Sequence, residues 1–407
     1  MARSMKILIG SLIVLGCIGL FSQSSDDPNT STRSLVSMSL EDYRAYIQHQ
    51  LPLDRLYMID NVCYFLVKPN ELITLTRSGI SFRQQAMDPC PLKPVKATGS
   101  IGDYHTYTES VEFMEDLVRR FPDLAQLSSA GQSIEGREIY VLKISDNLLS
   151  EEAEPNIFIS GCHHAREWIS VEIPLLFARF VLENYSSHQQ SRDIVDGGQL
   201  HIMPIQNPDG LEYSIHTYRM WRKNRRYNGD LSWGVDPNRN YGYQWGYDNI
   251  GSSPYPDDAV YRGPYAFSEP ETRAVREFLL IHPPSGSLNF HNYSQLILYP
   301  WGYTDTPTTD DTEMEEIARR MAELIFQVNG RVYQYGPGAI AIYPTNGDTD
   351  DWIYGTFGSP SFTVELPPEL FIQGGFFTSQ QMIDSAFSEI LPAMLYFCQY
   401  TIDKYQQ

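Results

Sequence analysis

Gly161-Cys162-His163-His164-Ala165-Arg166-Glu167-Trp168-Ile169-Ser170 comes just after the apolar run Ile157-Phe158-Ile159. A strand that ends in imidazole, guanidinium and carboxylate groups reads as the rim of an α/β active site, because open α/β sheets bind ligands at the carboxyl ends of their strands. Zinc accepts His nitrogen and carboxylate oxygen, and a catalytic zinc takes three protein ligands and leaves one position open. His164 and Glu167 supply two of the three if a distant histidine supplies the last. Alone, a His-x-x-Glu pair occurs often by chance, so the distant partner decides its meaning.

A histidine that meets the requirement stands in Phe290-His291-Asn292-Tyr293-Ser294, again just past an apolar run. Three further stretches stand out. Thr217-Tyr218-Arg219-Met220-Trp221-Arg222-Lys223-Asn224-Arg225-Arg226 is a basic cluster in an acidic chain. Gly234-Val235-Asp236-Pro237-Asn238-Arg239-Asn240-Tyr241 is a turn-rich segment with an acid and a guanidinium. Ser361-Phe362-Thr363-Val364-Glu365-Leu366 ends an apolar strand in an isolated acid. Taken singly, each has an ordinary structural reading: Arg222 and Arg239 balance acids, Asp236 caps a turn before Pro237, Tyr343 packs in the core. His163 sits beside a ligand candidate without being needed as one.

The chain has 407 residues, with 50 Asp and Glu against 30 Lys and Arg. That length accommodates a large α/β domain plus a smaller one without disulfide staples. The acidic excess argues against nucleic acid as a partner. It is also local: residues 1–96 hold 10 basic and 8 acidic residues, so the excess falls on residues 97–407, which would attract cationic substrates. Arg3, Lys6 and the apolar Ile7 to Phe21 read as a secretory signal over residues 1–22, too short for a typical membrane span. Val14-Leu15-Gly16-Cys17 also resembles a bacterial lipoprotein signal. Secretion, with no stable membrane association after signal removal, is the expectation. It allows Cys63 and Cys90 to pair, while Cys162 and Cys398 lie in apolar surroundings and read as buried thiols.

Residues 35–88 alternate strand-like and helical patterns, with Ser39 as a helix N-cap and Gly79 as a helix stop. A Pro- and Gly-rich linker over 89–102 separates them from a long stretch in which helical and strand patterns alternate. Helices are expected over Val111–Phe121, Val171–Tyr185, Glu269–Leu280, Glu313–Val328 and Gln380–Tyr400, and strands over Ile139–Ile144, Leu200–Ile205, Ser287–Phe290 and Phe362–Val364. Such alternation implies a sheet with helices on both faces. No internal repeat is visible.

Taken in order, His164-Ala165-Arg166-Glu167-Trp168, Asn207-Pro208-Asp209-Gly210, Trp221-Arg222-Lys223, Asp236-x-Asn238-Arg239-Asn240, His291-x-Tyr293-Ser294-Gln295, Ile342-Tyr343 and Glu365-Leu366 resemble the zinc carboxypeptidases of the pancreatic, funnelin type. The resemblance implies a mixed, twisted central sheet flanked by helices over residues 97–407. It also implies a small α+β, ferredoxin-like activation pro-domain within residues 23–96. One Zn2+ ion would be held by His164, Glu167 and His291, the His₂Glu set known from carboxypeptidase A. Asp236 would accept the second N–H of His164, Glu365 would be the general base, and Arg222 would stabilise the oxyanion. Asn238, Arg239 and Tyr343 would clamp the substrate's terminal carboxylate. Arg166, Arg219 and Tyr293 would touch residues upstream of the cut.

Asp350 falls where the B-type branch of that family carries an acid at the base of the specificity pocket, which implies cleavage of C-terminal Lys or Arg from peptides and proteins. Gly338 leaves room for a long side chain. The alternatives are an A-type enzyme releasing apolar residues and a catalytically silent binder of peptide C-termini. A trypsin-like protease is the implied activator, with Lys96-Ala97 as the candidate bond. The chain departs from the family pattern at several places, among them a loop over Glu369 to Gly375 that reads longer than usual. Pro367-Pro368 replaces an Arg-Asp pair. Asp348 replaces a glycine and either adds to a basic preference or faces solvent. Trp233 and Tyr255 stand near the usual half-cystines. The sequon at Asn292 lies beside the metal and is expected to stay unmodified.

Overall fold

The computed structural model describes residues 34–47, 55–59, 62–67, 69–85, 104–149, 153–229, 231–369, 375–376 and 379–407. The expected signal segment, linker and Lys96-Ala97 activation bond, together with Cys90 and the side chain of Cys63, lie outside them. The first unit runs β1 (Ser34–Ser39), α1 (Leu40–Ile47), β2 (Arg55–Ile59), β3 (Val62–Val67), α2 (Pro69–Ser78) and β4 (Arg83–Gln85). Its strands form an antiparallel sheet in the order β2-β3-β1-β4, the ferredoxin-like arrangement. Ser39 Oγ accepts the Asp42 N–H at 3.0 Å and so caps α1, and Gly79 ends α2 with a φ of 74°. Val36, Met38, Tyr43, Phe65 and Leu75 form its core, against which Ile250 of the larger domain also packs.

The larger domain begins with α3 (Tyr107–Arg120), whose start is fixed by a reciprocal cap between Thr106 and Glu109, a device that stabilises a helix end by about 1 kcal/mol. Then follow β5 (Ala125–Gln132), β6 (Glu138–Ile144), β7 (Asn156–Ser160), α4 (Ile169–Glu183), α5 (Gln189–Gly197), β8 (Gln199–Met203), α6 (Pro208–His216), α7 (Pro270–Ile281), β9 (Pro284–Asn292), β10 (Leu296–Tyr299), α8 (Asp311–Asn329), β11 (Gln334–Pro337), α9 (Gly338–Ala341), α10 (Thr349–Phe357), β12 (Ser361–Leu366) and α11 (Gln380–Tyr405). The eight strands form one sheet in the order β11-β10-β12-β9-β7-β8-β6-β5. The centre is parallel, β12 with β9, β9 with β7 and β7 with β8, and antiparallel pairs lie to either side.

Side chains alternate across a strand, so a sheet covered on both faces needs apolar residues at successive positions. Strand β7 meets this need. Ile157 and Ile159 join a core shared with α3, α4, α8 and α11, while Phe158 joins a second core with Val275 of α7 and Trp352 of α10. Near the expected half-cystines the chain is held differently. Trp233 lies 4.9 Å from the Tyr227 ring, and the Arg225 guanidinium stacks over Tyr213, Trp221 and Trp233 at 3.5, 4.8 and 4.8 Å. Cation–π contacts of this kind fasten the segment that carries Arg222. Cys162 and Cys398 are buried free thiols.

Candidate active site

Strand β7 ends at Ser160, and the chain then turns sharply at Gly161. A Cβ at Gly161 would lie 2.0 Å from the Ser170 carbonyl oxygen, so only glycine allows this close approach. The turn is held by Gly161 N–H donating to Met203 O at 3.1 Å and by Ala165 N–H donating to Arg222 O at 3.0 Å. These bonds bring His164 and Glu167 inward beside His291 of β9.

The three side chains converge. His164 Nδ1 lies 2.8 Å from Glu167 Oε1, His291 Nδ1 lies 2.9 Å from Glu167 Oε2, and the two Nδ1 atoms are 3.1 Å apart. All three residues are buried, and their ligand atoms lie within 4.8 Å of one another. Burial, reinforced by Arg222, lowers the His164 pKa, which favours the neutral imidazole that binds metal. Burial alone would raise the Glu167 carboxyl, but His164 and His291 outweigh it and hold the group below its ordinary range. Two nitrogen lone pairs and a carboxylate meeting in one buried spot repel each other unless a cation lies between them. The donor set fits a divalent zinc ion with an open position.

Asp236 organises the other side of His164. Its Oδ1 lies 3.3 Å from His164 Nε2, and its Oδ2 accepts Arg222 Nε at 3.1 Å and Nη2 at 2.9 Å. Asp236 also accepts the Asn238 N–H at 3.0 Å and caps the 3₁₀ turn Pro237–Arg239. Asp236 therefore caps this turn and also lies beside the far nitrogen of His164. Burial pushes its carboxyl up, and Arg222 and His164 pull it well below the usual range.

Glu365 stands beside His291 through strand pairing. Strands β12 and β9 run parallel with Glu365 opposite His291, Thr363 opposite Asn289 and Ser361 opposite Ser287. With a two-residue period, these six residues share one face, while Phe362, Val364, Leu288 and Phe290 face the larger core. The polar stripe leads from the metal ligand down to Asp350 of α10. Asp350 Oδ1 accepts Asn289 Nδ2 at 2.6 Å and Ser361 Oγ at 2.5 Å, and Oδ2 accepts Thr363 Oγ1 at 2.5 Å. Burial, then Asp348, pushes the Asp350 carboxyl up to about 6. Asp348 does not face solvent. It is 7 % exposed, caps α10 by accepting Asp351 N–H at 2.9 Å, and accepts Thr345 Oγ1 at 2.5 Å.

A recess of about 60 Å³ is lined by Asn238, Arg239, Gly338, Tyr343, Asp348 and Asp350, among others. Arg239 is buried, with Nε donating to Gly251 O at 2.9 Å and Nη1 to Asn238 O at 2.6 Å, so two of its five donors are taken by the main chain. Glu365, Arg222, Tyr343 and His164 line both this recess and a cleft of about 930 Å³. Arg166, Tyr293 and Phe376 also line the cleft. Arg166 stacks on the Phe376 ring at 4.6 Å, and Tyr293 meets the same ring at 5.0 Å. Arg219 does not line it. Its guanidinium donates to Arg166 O at 2.7 Å and to Phe376 O and stacks 3.4 Å over Trp168, behind the wall. Asn292 is buried at 3 % exposure, which leaves a glycan no room at this sequon. Phe376 and the far wall at Arg331 and Gln334 had no motif to announce them, because they enter through loop geometry.

The zinc carboxypeptidase family profile matches residues 110–393. Carboxypeptidase A1 of Rattus norvegicus is 34 % identical over 285 residues, covering 70 % of this chain and 67 % of that protein. Carboxypeptidase B of Astacus astacus is 36 % identical over 268 residues, covering 65 % of this chain and 86 % of that protein. Among solved structures, bovine thrombin-activatable fibrinolysis inhibitor in complex with tick carboxypeptidase inhibitor aligns with a TM-score of 0.68 at 30 % identity, over 74 % of this chain and 98 % of that one. Carboxypeptidase A from Helicoverpa armigera shares the fold, with a TM-score of 0.79 at 23 % identity over 93 % and 99 % of the two chains. The chain belongs to the zinc carboxypeptidase family. It is an enzyme whose cofactor is zinc, and carboxypeptidase substrates are peptide C-termini.

Proposed function

We propose that this chain is the secreted zymogen of a carboxypeptidase that removes C-terminal Lys or Arg. The observation that carries the basic preference is Asp350, a buried carboxylate held by neutral donors at the wall of the recess. A cationic side chain entering there offsets the cost of ionising it, whereas Phe or Leu leaves it unpaired, a difference that discriminates strongly between substrates. Zinc, when bound, supplies Lewis acidity toward the scissile carbonyl and the attacking water.

The chain's own residues supply the rest. Asn238, Arg239 and Tyr343 hold the terminal carboxylate at the recess and so fix which peptide bond lies beside the metal site. Glu365 takes a proton from the attacking water and returns it to the leaving amine. Arg222, anchored by Asp236, donates to the oxyanion as it develops. Arg166 and Tyr293 meet residues upstream of the cut, and Arg219 supports Arg166 from behind. His164 keeps its orientation through Asp236.

Secretion rests on the charged and apolar pattern of residues 1–22. The zymogen reading rests on the four-stranded unit packed through Ile250 onto the larger domain, on the linker that follows it, and on Lys96-Ala97 as a bond for a trypsin-like protease. Hydrolysis of matched peptides ending in Arg or Phe, before and after trypsin treatment, tests both points. Arg preferred and activity rising on cleavage is the expected outcome. Phe preferred overturns the basic preference, and trypsin-resistant, fully active protein overturns the zymogen.

A further inference from the structure

His163 is fully buried, yet it is neither a metal ligand nor part of an apolar core. Its ring stacks on that of His291 with centroids 5.1 Å apart and planes 16° apart. Its Nε2 lies 2.7 Å from Thr349 Oγ1 and 3.2 Å from Tyr241 Oη, and its Nδ1 meets no partner. Thr349, the first residue of α10, makes two bonds to Asn238. Its main-chain N–H donates to Asn238 Oδ1 at 2.9 Å, and its Oγ1 lies 2.8 Å from the same oxygen.

The main-chain bond to Asn238 sets the direction of the protons along this chain of contacts. The Thr349 main-chain N–H requires Asn238 to present its oxygen, so the Thr349 hydroxyl must donate to that oxygen as well. The hydroxyl can then only accept from His163, and Nε2 carries the imidazole proton. Tyr241 is compatible with the same tautomer, since its hydroxyl lies 2.8 Å from Gln206 Oε1 and can accept from His163. The other end of the Asn238 amide, Nδ2, lies 3.4 Å from His291 Nε2, and Asn238 lines the recess.

We propose that His163 is a positioning residue of the carboxylate clamp: its bond to Thr349 keeps the Thr349 hydroxyl donating to Asn238 Oδ1, which holds the Asn238 NH₂ toward the substrate's terminal carboxylate. This rests on the reading of Asn238 as part of that clamp. The same ring backs His291, so one side chain ties the orientation of a metal ligand to that of the substrate anchor.

The test uses trypsin-treated full-length protein and a peptide ending in Arg, with zinc per chain measured alongside. H163F keeps a stacking ring and removes the donor, whereas H163Q restores an N–H near the Nε2 position. H163F should raise KM by about fivefold to tenfold, the scale of one oriented hydrogen bond, with kcat within about threefold and zinc retained. H163Q should recover most of the loss. Thr349→Val should match H163F, and the double variant should be no worse than either single one. An unchanged KM in H163F, a KM rise that H163Q does not recover, additive single effects, or a fall in kcat together with zinc loss each overturn the proposal. If H163F does not fold, H163Q and Thr349→Val decide it: wild-type KM in Thr349→Val overturns the relay. N238A separates the two readings. If it leaves KM unchanged, the clamp assignment has failed; if it raises KM while H163F does not, only the role of His163 has failed.

Discussion

Glu167 and Asp350 are both buried carboxylates, 3 % and 8 % exposed, yet their environments push them in opposite directions. Desolvation is the largest influence on each, and it raises both. Glu167 lies between two imidazoles that more than cancel it. Asp350 has only hydroxyl and amide donors, and Asp348 adds a second negative charge. Burial alone therefore does not set the state of a carboxylate; the charge of its partners decides whether the push of burial is overturned. One group is built around a resident cation. The other has no cation among its hydrogen-bond partners.

Replacing the resident anion is expected to have the largest effect. Glu167→Gln should lose zinc and lower kcat/KM by roughly three orders of magnitude or more, the scale of losing metal assistance; zinc per chain and peptide hydrolysis check both. Retained zinc with full activity would break the contrast. Glu365→Gln should lower kcat by about 10²- to 10⁴-fold while zinc stays bound, which separates the proton carrier from the ligands. Asp350→Ile should cut the Arg-to-Phe ratio of kcat/KM by roughly 100-fold without loss of zinc. An unmoved ratio would place specificity elsewhere.

Two smaller effects sharpen the comparison. Asp350 is neutral below its pKa of about 6 and anionic above it, so the Arg-to-Phe ratio should climb as pH rises through 6 and then level off. Taking the ratio cancels groups that both substrates share, and in Asp350→Asn the curve should be flat. For folding the sign runs the other way. A carboxyl raised in the folded state favours folding most below its unfolded value, near 4, and that contribution is lost as pH rises through about 6. Asp348→Asn keeps a capping side chain on α10 and removes the nearby charge. It should move the midpoint of the ratio to lower pH, read from the same profile.

Much of the fold was legible because burial on both faces forces a pattern. The helices expected over Val111–Phe121, Val171–Tyr185 and Glu313–Val328 correspond to α3, α4 and α8, with ends that shift by a few residues where caps such as Thr106 and Gly330 decide them. The short β10, β11 and α9 lack a full period and escaped notice. The candidate metal site was legible because metal chemistry restricts residue type and the order of the motifs resembles the family, and the structure brings His164, Glu167 and His291 together. The positions of Arg219 and Asp348 were not, since an arginine reads the same whether it meets substrate or supports a wall, and an acid reads the same as a cap or a surface charge.

The sequence by itself determined the ordered set of motifs that resembles the zinc carboxypeptidases, and that resemblance is the source of the expected roles in binding zinc, carrying a proton and holding a carboxylate. It also determined the alternation Ser-Leu-Asn-Phe-His and Ser-Phe-Thr-Val-Glu that gives β9 and β12 one polar and one apolar face. Only the tertiary structure decided that these strands lie side by side in register, so that His291 meets Glu365 and Asn289 meets Thr363 above Asp350. Register between distant strands comes from packing on both faces of the sheet, and no local stretch of chain contains that information.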